Sequence, residues 1–329
     1  MRLASVREVK ASLASSGEAG SRLDVEAITP YGIPSRRKAD VERIQPSVAL
    51  GVAPGKGTGD YRLAVRVQHP NLLRSSYVER AVELAKGEAD VRLIGQLAKR
   101  GDGSQGRHRP VRPGVSVGHF RITAGTVGCF VGRGTKTFVL SNNHVLADEN
   151  AGKPGDAILQ PGPIDGGRRP GDVIAALARF VRLVSRGTNV MDCALAELRP
   201  GVDFDAVPLG MRRHLVSDPA PPEDGVRVEK IGRTTGRTRG RVTAFEVDDV
   251  VVRYDFGNAR FDGQIEIAGR GAAFSAGGDS GSLIFTSGDR KPYALLFAGS
   301  DSGGPSNTGV TYANPIKPVL DRFKADLLI

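Results

Sequence analysis

The sequence predicts a mainly β protein, a barrel or sandwich pair, preceded by a small α+β module. Three observations carry this. From about residue 115 onward, short apolar segments recur between Gly, Asn, Asp and Pro turns. The chain has 43 glycines and few long apolar periodic runs, so it favours strands and turns over a helical bundle. A single strand–helix–strand pattern stands near residues 60–98, outside the β-rich part.

Taken in order, residues 1–57 mix charge, Ser, Pro and Gly without sustained periodicity and are read as irregular, ending in the loop "APGKGTG". "YRLAVRVQ" alternates as a strand. "HPNLLRSSYVERAVELAKGEA" follows as a helix with Leu73, Tyr77, Ala81 and Leu84 on one face, and "DVRLIGQL" returns as a second strand. This bounds an N-terminal module at 1–98. "KRGDGSQGRHRPVRPG" reads as an exposed linker over 99–114. Residues 115–329 carry the strand candidates "GTVGCFVG", "TKTFVLSNN", "DAILQPG", "DVIAALARFVRLV", "DCALAEL", "VRVEKIG", "GRVTAFEV", "DVVVRYD", "GQIEIAG", "GSLIF", "YALLFAGS" and "GVTYANP". An amphipathic helix, "PIKPVLDRFKADLLI", closes the chain.

At 329 residues and 40% apolar content the chain is long enough for two cores and is neither disordered nor fibrous. The net charge of +10 is uneven: 20 Lys/Arg face 12 Asp/Glu in residues 1–113, and 26 face 24 beyond. The basic residues of the first part are scattered singly, with no aromatic interleaving and no zinc pattern, so a solvated basic surface is expected there rather than a nucleic-acid site. "MRLASVREVKASLASSGEAG" lacks an apolar h-region, and no stretch approaches a membrane span. Cys129 and Cys193 lie in apolar surroundings and are expected as buried free thiols. The expectation is a cytoplasmic protein with no membrane contact.

"SAGGDSGSLIF" surrounds Ser280 with Gly277, Gly278 and Gly281, a backbone cleared for close approach. His144 follows the strand "TKTFVL" through "SNN" and leads into "HVLADEN", where a strand gives way to a short helix. Asp192, in "TNVMDCALAEL", is an acid flanked by apolar residues, and a buried acid needs a partner. An imidazole held by such a carboxylate keeps the tautomer that takes a proton from a serine hydroxyl. The amides of Gly278 and Ser280 are then free to point at a developing oxyanion. His69, His108, His119 and His214 have no such setting.

"LSNNHVLA", "NVMDCALAEL" and "GGDSGSLIF", in that order, resemble the trypsin/chymotrypsin-like serine peptidases. "EKIGRTTGRTRGRVTA" at 229–244 looks like their bacterial branch of alpha-lytic protease and streptogrisins. The resemblance covers about 120–329 and implies a chymotrypsin-like double β-barrel with a C-terminal helix. It implies Ser280 as nucleophile, His144 as general base then acid, Asp192 as orienting carboxylate, and the Gly278 and Ser280 amides as oxyanion hole. It also implies an Arg233–Asp279 ion pair bracing the oxyanion loop, and a specificity pocket with Phe274 at its base. Phe297, Ala298, Gly299, Gly309 and Tyr312 would form its walls. With no acid at 274, a small or medium apolar residue is expected before the scissile bond, although Asp301 lies just beyond the wall strand. Ser282 stands where the family has glycine, and the disulfides of extracellular members are missing.

The activity implied is a selective serine endopeptidase acting through an acyl-enzyme on a protein or peptide, with no cofactor and no metal. "GDSGS" is not a G-x-S-x-G elbow, no His pair has metal-ligand spacing, and no strand–glycine–helix pattern marks a nucleotide site. Two other readings stand beside it. One is a catalytically silent, protease-like binding module. The other is a basic N-terminal adaptor to which the barrels are secondary. Residues 1–113 are expected to dock, restrain or recognise a protein partner or substrate, with the linker as a site for a cut.

Overall fold

The computed structural model describes residues 1–15, 48–95, 97–98 and 106–329. Much of the irregular stretch expected before residue 57 lies outside the described residues. Its two ends are regular, however: a helix spans Leu3–Ser15 and a strand spans Val48–Pro54. The strand–helix–strand pattern appears as Tyr61–Val67, the helix Ser76–Leu84 and Ala89–Leu93. Ser75 caps that helix through its Oγ, which accepts from the Val78 amide at 3.3 Å. The buried face of the helix carries Tyr77, Val78 and Ala81; Leu84 and Leu73 are exposed, a rotation of the expected face.

Among the described residues, the strands form two sheets. The first gathers the strands between Ser116 and Leu198 except Thr188–Asn189, which pairs with Gly257–Phe261 of the second sheet, and adds Asp326–Leu328 antiparallel to Cys129–Arg133. The expected C-terminal helix is therefore shorter than its sequence pattern: it spans Ile316–Phe323, and the last residues form a strand. The second sheet runs through Arg227–Gly232, the long strand Gly236–Asp248, and on to Val310–Pro315. Each sheet curls around its own apolar cluster. One is centred on Val117, Phe130, Val139, Ile158 and Ala196, the other on Val242, Ile265, Ile284 and Leu296. The architecture is a chymotrypsin-like double β-barrel with a C-terminal helix and a small N-terminal α+β segment.

The N-terminal segment is not strung beside the barrels. Val48–Pro54 pairs antiparallel with Tyr61–Val67 on one side and with the end of Gly236–Asp248 on the other, so it extends the second sheet. Arg66 carries the connection inward. Its fully buried guanidinium meets the buried Glu266 carboxylate at 2.6 Å and Asp90 at 2.9 Å. Burial works against its charge, but the two carboxylates outweigh it and hold the Arg66 pKa above its ordinary value.

The linker also differs from expectation. Residues 99–105 lie outside the described residues, but the second half is packed on the first barrel. Val111 is buried and exchanges backbone hydrogen bonds with Asp203 and Asp205 at 2.9 Å, and the His108 amide donates to Gln160 Oε1 at 2.9 Å. Apolar valines supply the reason: Val111 inside this Arg- and Pro-rich stretch and Val115 just after it enter the cluster of the first barrel.

Candidate active site

His144 sits in a one-turn helix, Asn143–Leu146, directly after the strand Lys136–Ser141. Its Nδ1 lies 2.6 Å from Asp192 Oδ2, and both residues are buried. The carboxylate is held from several directions. Asp192 Oδ1 accepts from the Asn143 amide at 2.6 Å, and Oδ2 also accepts from the Tyr254 hydroxyl at 2.8 Å. The Asp192 amide donates to Asn314 Oδ1 at 3.0 Å, and Asn142 Nδ2 donates to the Asp192 carbonyl at 2.7 Å. With Nδ1 facing a carboxylate, Nε2 is the nitrogen left to accept a proton.

Tyr254 is the contributor that the sequence reading missed. It ends the strand Val250–Tyr254, read only as "DVVVRYD". Alternation turns Val250, Val252 and Tyr254 inward, and a buried tyrosine hydroxyl needs a partner; that was the available signal. Its ring meets His144 edge-on at 6.0 Å between centroids and stacks on Phe256 at 5.3 Å. Burial first, then the neighbouring Asp192 charge, pushes the Tyr254 pKa well up, so the hydroxyl keeps its proton.

The Ser280 loop explains its own glycines. Gly278 and Gly281 have φ of +87° and +91°. A Cβ at Gly281 would lie 2.0 Å from Ser141 Oγ, and one at Gly278 would lie 2.1 Å from Arg233 Nη1, so both conformation and space demand glycine. Thr126, from the first barrel, ties the loop down: its amide donates to the Ser280 carbonyl and its Oγ1 to the Gly278 carbonyl, both at 2.8 Å. Gly125 beside it is wedged between Val145 and the Ser280 carbonyl, which brings the segments after His144 and around Ser280 to one place. Ser282, where the family resemblance leads one to expect glycine, closes the turn by donating to the Asp279 carbonyl at 2.6 Å.

Among the described residues, His144 Nε2 and Ser280 Oγ are both buried and have no hydrogen-bond partner. The amides of Gly278 and Ser280 likewise donate no hydrogen bond there. Leaving a buried polar atom unpaired costs about 1–3 kcal/mol, so a site that keeps several has another use for them.

The expected Arg233–Asp279 pair is absent. Asp279 is fully buried and pairs with Lys230 at 3.0 Å, while Thr235 Oγ1, the Thr234 amide and the Ala276 amide donate to it at 2.6, 2.8 and 3.0 Å. Arg233 instead forms a two-pronged pair with Asp165, at 2.5 and 2.7 Å, and lays Nη1 beside Gly278. Strand alternation is the reason. Lys230 and Gly232 share the face under Asp279, whose Oδ1 lies 2.4 Å from where a Cβ on Gly232 would be, and the next residue points away.

The expected pocket residues divide. Phe297, Ala298 and Tyr312 share one fully buried cluster, and the Tyr312 hydroxyl donates to Glu266 at 2.8 Å. Gly299 pairs with Thr311, and Gly309 folds so tightly that a Cβ would lie 1.9 Å from the Ser300 carbonyl. Phe274 does not join them; it packs with Val242, Ile267 and Ile284. Its neighbour Ser275 faces the wall strand instead, with Oγ 2.7 Å from Thr311 Oγ1. His119, expected to be unremarkable, is buried with Nε2 3.0 Å from Asp156. Cys129 and Cys193 are buried free thiols, and burial pushes the Cys129 pKa up to about 12. No group of side chains able to hold a metal ion occurs among the described residues, and no helix there is long and apolar enough to cross a membrane.

No protein-family model matches the chain, and no curated protein does. Among solved structures, the chain is similar to Thermobifida fusca Protease A at 17% identity and a TM-score of 0.47, covering 66% of this chain and 98% of that one. It is similar to a chymotrypsin of Cellulomonas bogoriensis at 20% identity and a TM-score of 0.46, over 66% and 98% of the two chains. It is also similar to a glutamic acid-specific serine protease, at 20% identity and a TM-score of 0.48, over 66% and 100%.

Proposed function

We propose that the chain is a serine endopeptidase that cleaves peptide bonds through an acyl-enzyme formed on Ser280. One observation carries this: His144 is bonded through Nδ1 to a buried carboxylate while its Nε2 and the Ser280 hydroxyl are kept buried and unpaired. In the proposed reaction, Ser280 Oγ attacks the scissile carbonyl carbon and its proton passes to His144 Nε2. The carbonyl oxygen, now negative, is taken by the Gly278 and Ser280 amides. Collapse expels the amine, which leaves with the proton from His144, and a water repeats the sequence to free the acid. Asp192 keeps the imidazole in the required tautomer and offsets the charge it gains, and the Asp279–Lys230 pair holds the loop that presents the amides.

An apolar residue before the scissile bond fits the Phe297 and Ala298 wall. The "GRTTG" hairpin and the C-terminal helix support an affinity with the alpha-lytic and streptogrisin branch, with Lys230 replacing the arginine expected on Asp279. The buried free thiols support work in a reducing compartment, the cytoplasm being the place we favour. The penetration of Arg66 into the second barrel supports a share for residues 1–113 in shaping or restraining the site, over a freely swinging adaptor.

A fluorophosphonate probe tests the reading. Covalent labelling of the wild type, with a mass shift on the peptide holding Ser280 and none in Ser280→Ala, is expected. A correctly folded wild type that is never labelled would make this a binding module. Intact mass of the two proteins shows in the same experiment whether the chain is cut in the linker.

A further inference from the structure

The strand Pro292–Gly299 presents one edge to two different segments in succession. Leu295 pairs with Leu283, and Leu296 exchanges hydrogen bonds with Gly281 and Ser282 at 2.8 and 3.0 Å, so this part of the edge is bound to the loop bearing Ser280. Further along, Gly299 pairs antiparallel with Ala98. The same short segment, Leu97–Ala98, pairs in parallel with Val252 and Arg253 on its other side. It thus fills a slot one strand wide between the pocket-wall strand and the strand that ends in Tyr254.

Both partners of this segment lead to the catalytic residues. On the antiparallel partner, the Gly299 that pairs with Ala98 stands just beyond Leu296, which touches the Ser280 loop. Along the parallel partner, the run goes from Val252 to Tyr254, whose hydroxyl is on Asp192. A slot between two strand edges that lead to a nucleophile and to a histidine–carboxylate pair is the binding mode for an extended peptide that adds as a strand. Main-chain pairing supplies the affinity there, and here the chain's own residues take that pairing.

The approach to the slot is built. Ile94 is fully buried in the cluster that holds Phe297, Ala298 and Tyr312, and its amide donates to the Val67 carbonyl at 2.8 Å. Gly303, at φ +82°, gives way to it: a Cβ there would lie 2.5 Å from the Leu93 carbonyl and 3.0 Å from Ile94 Cα. The strand Ala89–Leu93 is fixed in turn by its parallel pairing with Tyr61–Val67.

We propose that Leu97–Ala98 occupies the groove meant for the substrate main chain, so that the N-terminal segment restrains the enzyme in cis and extended peptides bind by displacing it. This rests on the serine-endopeptidase reading of the same site. The effective concentration of a tethered occupant is in the millimolar range for short connections, so a free peptide competes at a disadvantage.

The test compares two reagents on wild type and Ala98→Pro, which puts a residue with no amide proton and a fixed φ at a position paired with a strand on each side. The first is a small fluorophosphonate, which needs the nucleophile and no strand pairing. The second is an apolar tetrapeptide p-nitroanilide, which needs the groove. The expected result is equal fluorophosphonate labelling within twofold, with kcat/KM for the tetrapeptide raised at least tenfold in the variant, chiefly through KM. Equal labelling with unchanged or lower kcat/KM would overturn the proposal and leave the catalytic reading standing. Loss of labelling in both proteins would overturn the catalytic reading, and this one with it. Hydrogen exchange on the unaltered protein gives a second readout that needs no variant. Saturation with an apolar tetrapeptide aldehyde should expose the amides of residues 94–98, and retained protection there would refute displacement.

Discussion

Tyr254→Phe removes one atom from the buried centre of the site. The ring stays: its contacts with His144, Phe256 and Phe261, at 6.0, 5.3 and 6.1 Å between centroids, do not involve the hydroxyl. What is lost is the 2.8 Å hydrogen bond to Asp192 Oδ2, the oxygen that also faces His144 Nδ1. A hydrogen bond to a charged group contributes about 1.5–3 kcal/mol. Asp192 keeps the Asn143 amide at 2.6 Å and the imidazole, so the carboxylate is loosened and not orphaned. In the proposed reaction the loss divides between the folded ground state and the transition state, in which the imidazole would carry a positive charge and its alignment with Asp192 would matter most. If most of it falls on the transition state, kcat/KM drops about 10- to 150-fold, at 1.36 kcal/mol per factor of ten. The assay is kcat/KM on an apolar tetrapeptide p-nitroanilide together with urea unfolding of the same preparations. The activation and unfolding losses should together come to about 1.5–3 kcal/mol. A variant within twofold of wild type in rate and unchanged in stability would refute the assignment of Tyr254 as a positioning residue for Asp192.

Lys230→Met leaves Asp279 as a buried, uncompensated charge and should cost about 3–5 kcal/mol of stability and most of the fluorophosphonate labelling, read by unfolding and by labelling rate. Arg233→Ala, which spares every contact of Asp279, should keep labelling within about tenfold of wild type; the reverse ranking would restore the arginine as the brace of the loop. Gly278→Ala puts a Cβ against an Arg233 guanidinium already clamped by Asp165, and into a left-handed φ, so labelling should fall at least tenfold while far-ultraviolet dichroism is unchanged. Burial pushes the Asp90 carboxyl up, but Arg66 and Arg92 outweigh it and hold its pKa below the ordinary 3.8. Its contribution is therefore complete above that value and lost as pH falls through the lower folded one. The melting temperature of wild type should drop more steeply below about pH 4 than that of Asp90→Asn, and parallel curves would refute this.

The barrels were legible because short apolar segments recur between Gly, Asn, Asp and Pro turns from about residue 115 onward, even where a strand such as Arg227–Gly232 is buried along most of its length. Of the candidate site, the His144–Asp192 contact was legible because each residue sits in a short local pattern, as Ser280 does. What escaped lacks a local signature. "VALGVAP" is buried along almost its whole length, with Leu50 and Val52 in one cluster and Ala49 and Ala53 in another, so it shows no alternation to detect. The helix Leu3–Ser15 buries only Val6 and Leu13 outright, too few positions for a periodic pattern to stand out. Tyr254 reaches Asp192 across 62 residues, and the partner of Asp279 depends on which way one side chain of a strand faces. Both are properties of the folded sheet. The family resemblance supplied Arg233 by motif, where the alternation of the strand selects Lys230.

The shared border between Val48–Pro54 and the far end of Gly236–Asp248 bears on anyone who trims the protein to its barrels. A shortened polypeptide starting at residue 106 would uncover the amides and carbonyls near Phe245 and Asp248 as a bare, sticky margin, and would strand Glu266 in the interior without its cation. Such a fragment should clump or refuse to mature, and its silence in an assay would say nothing about whether the intact molecule is alive.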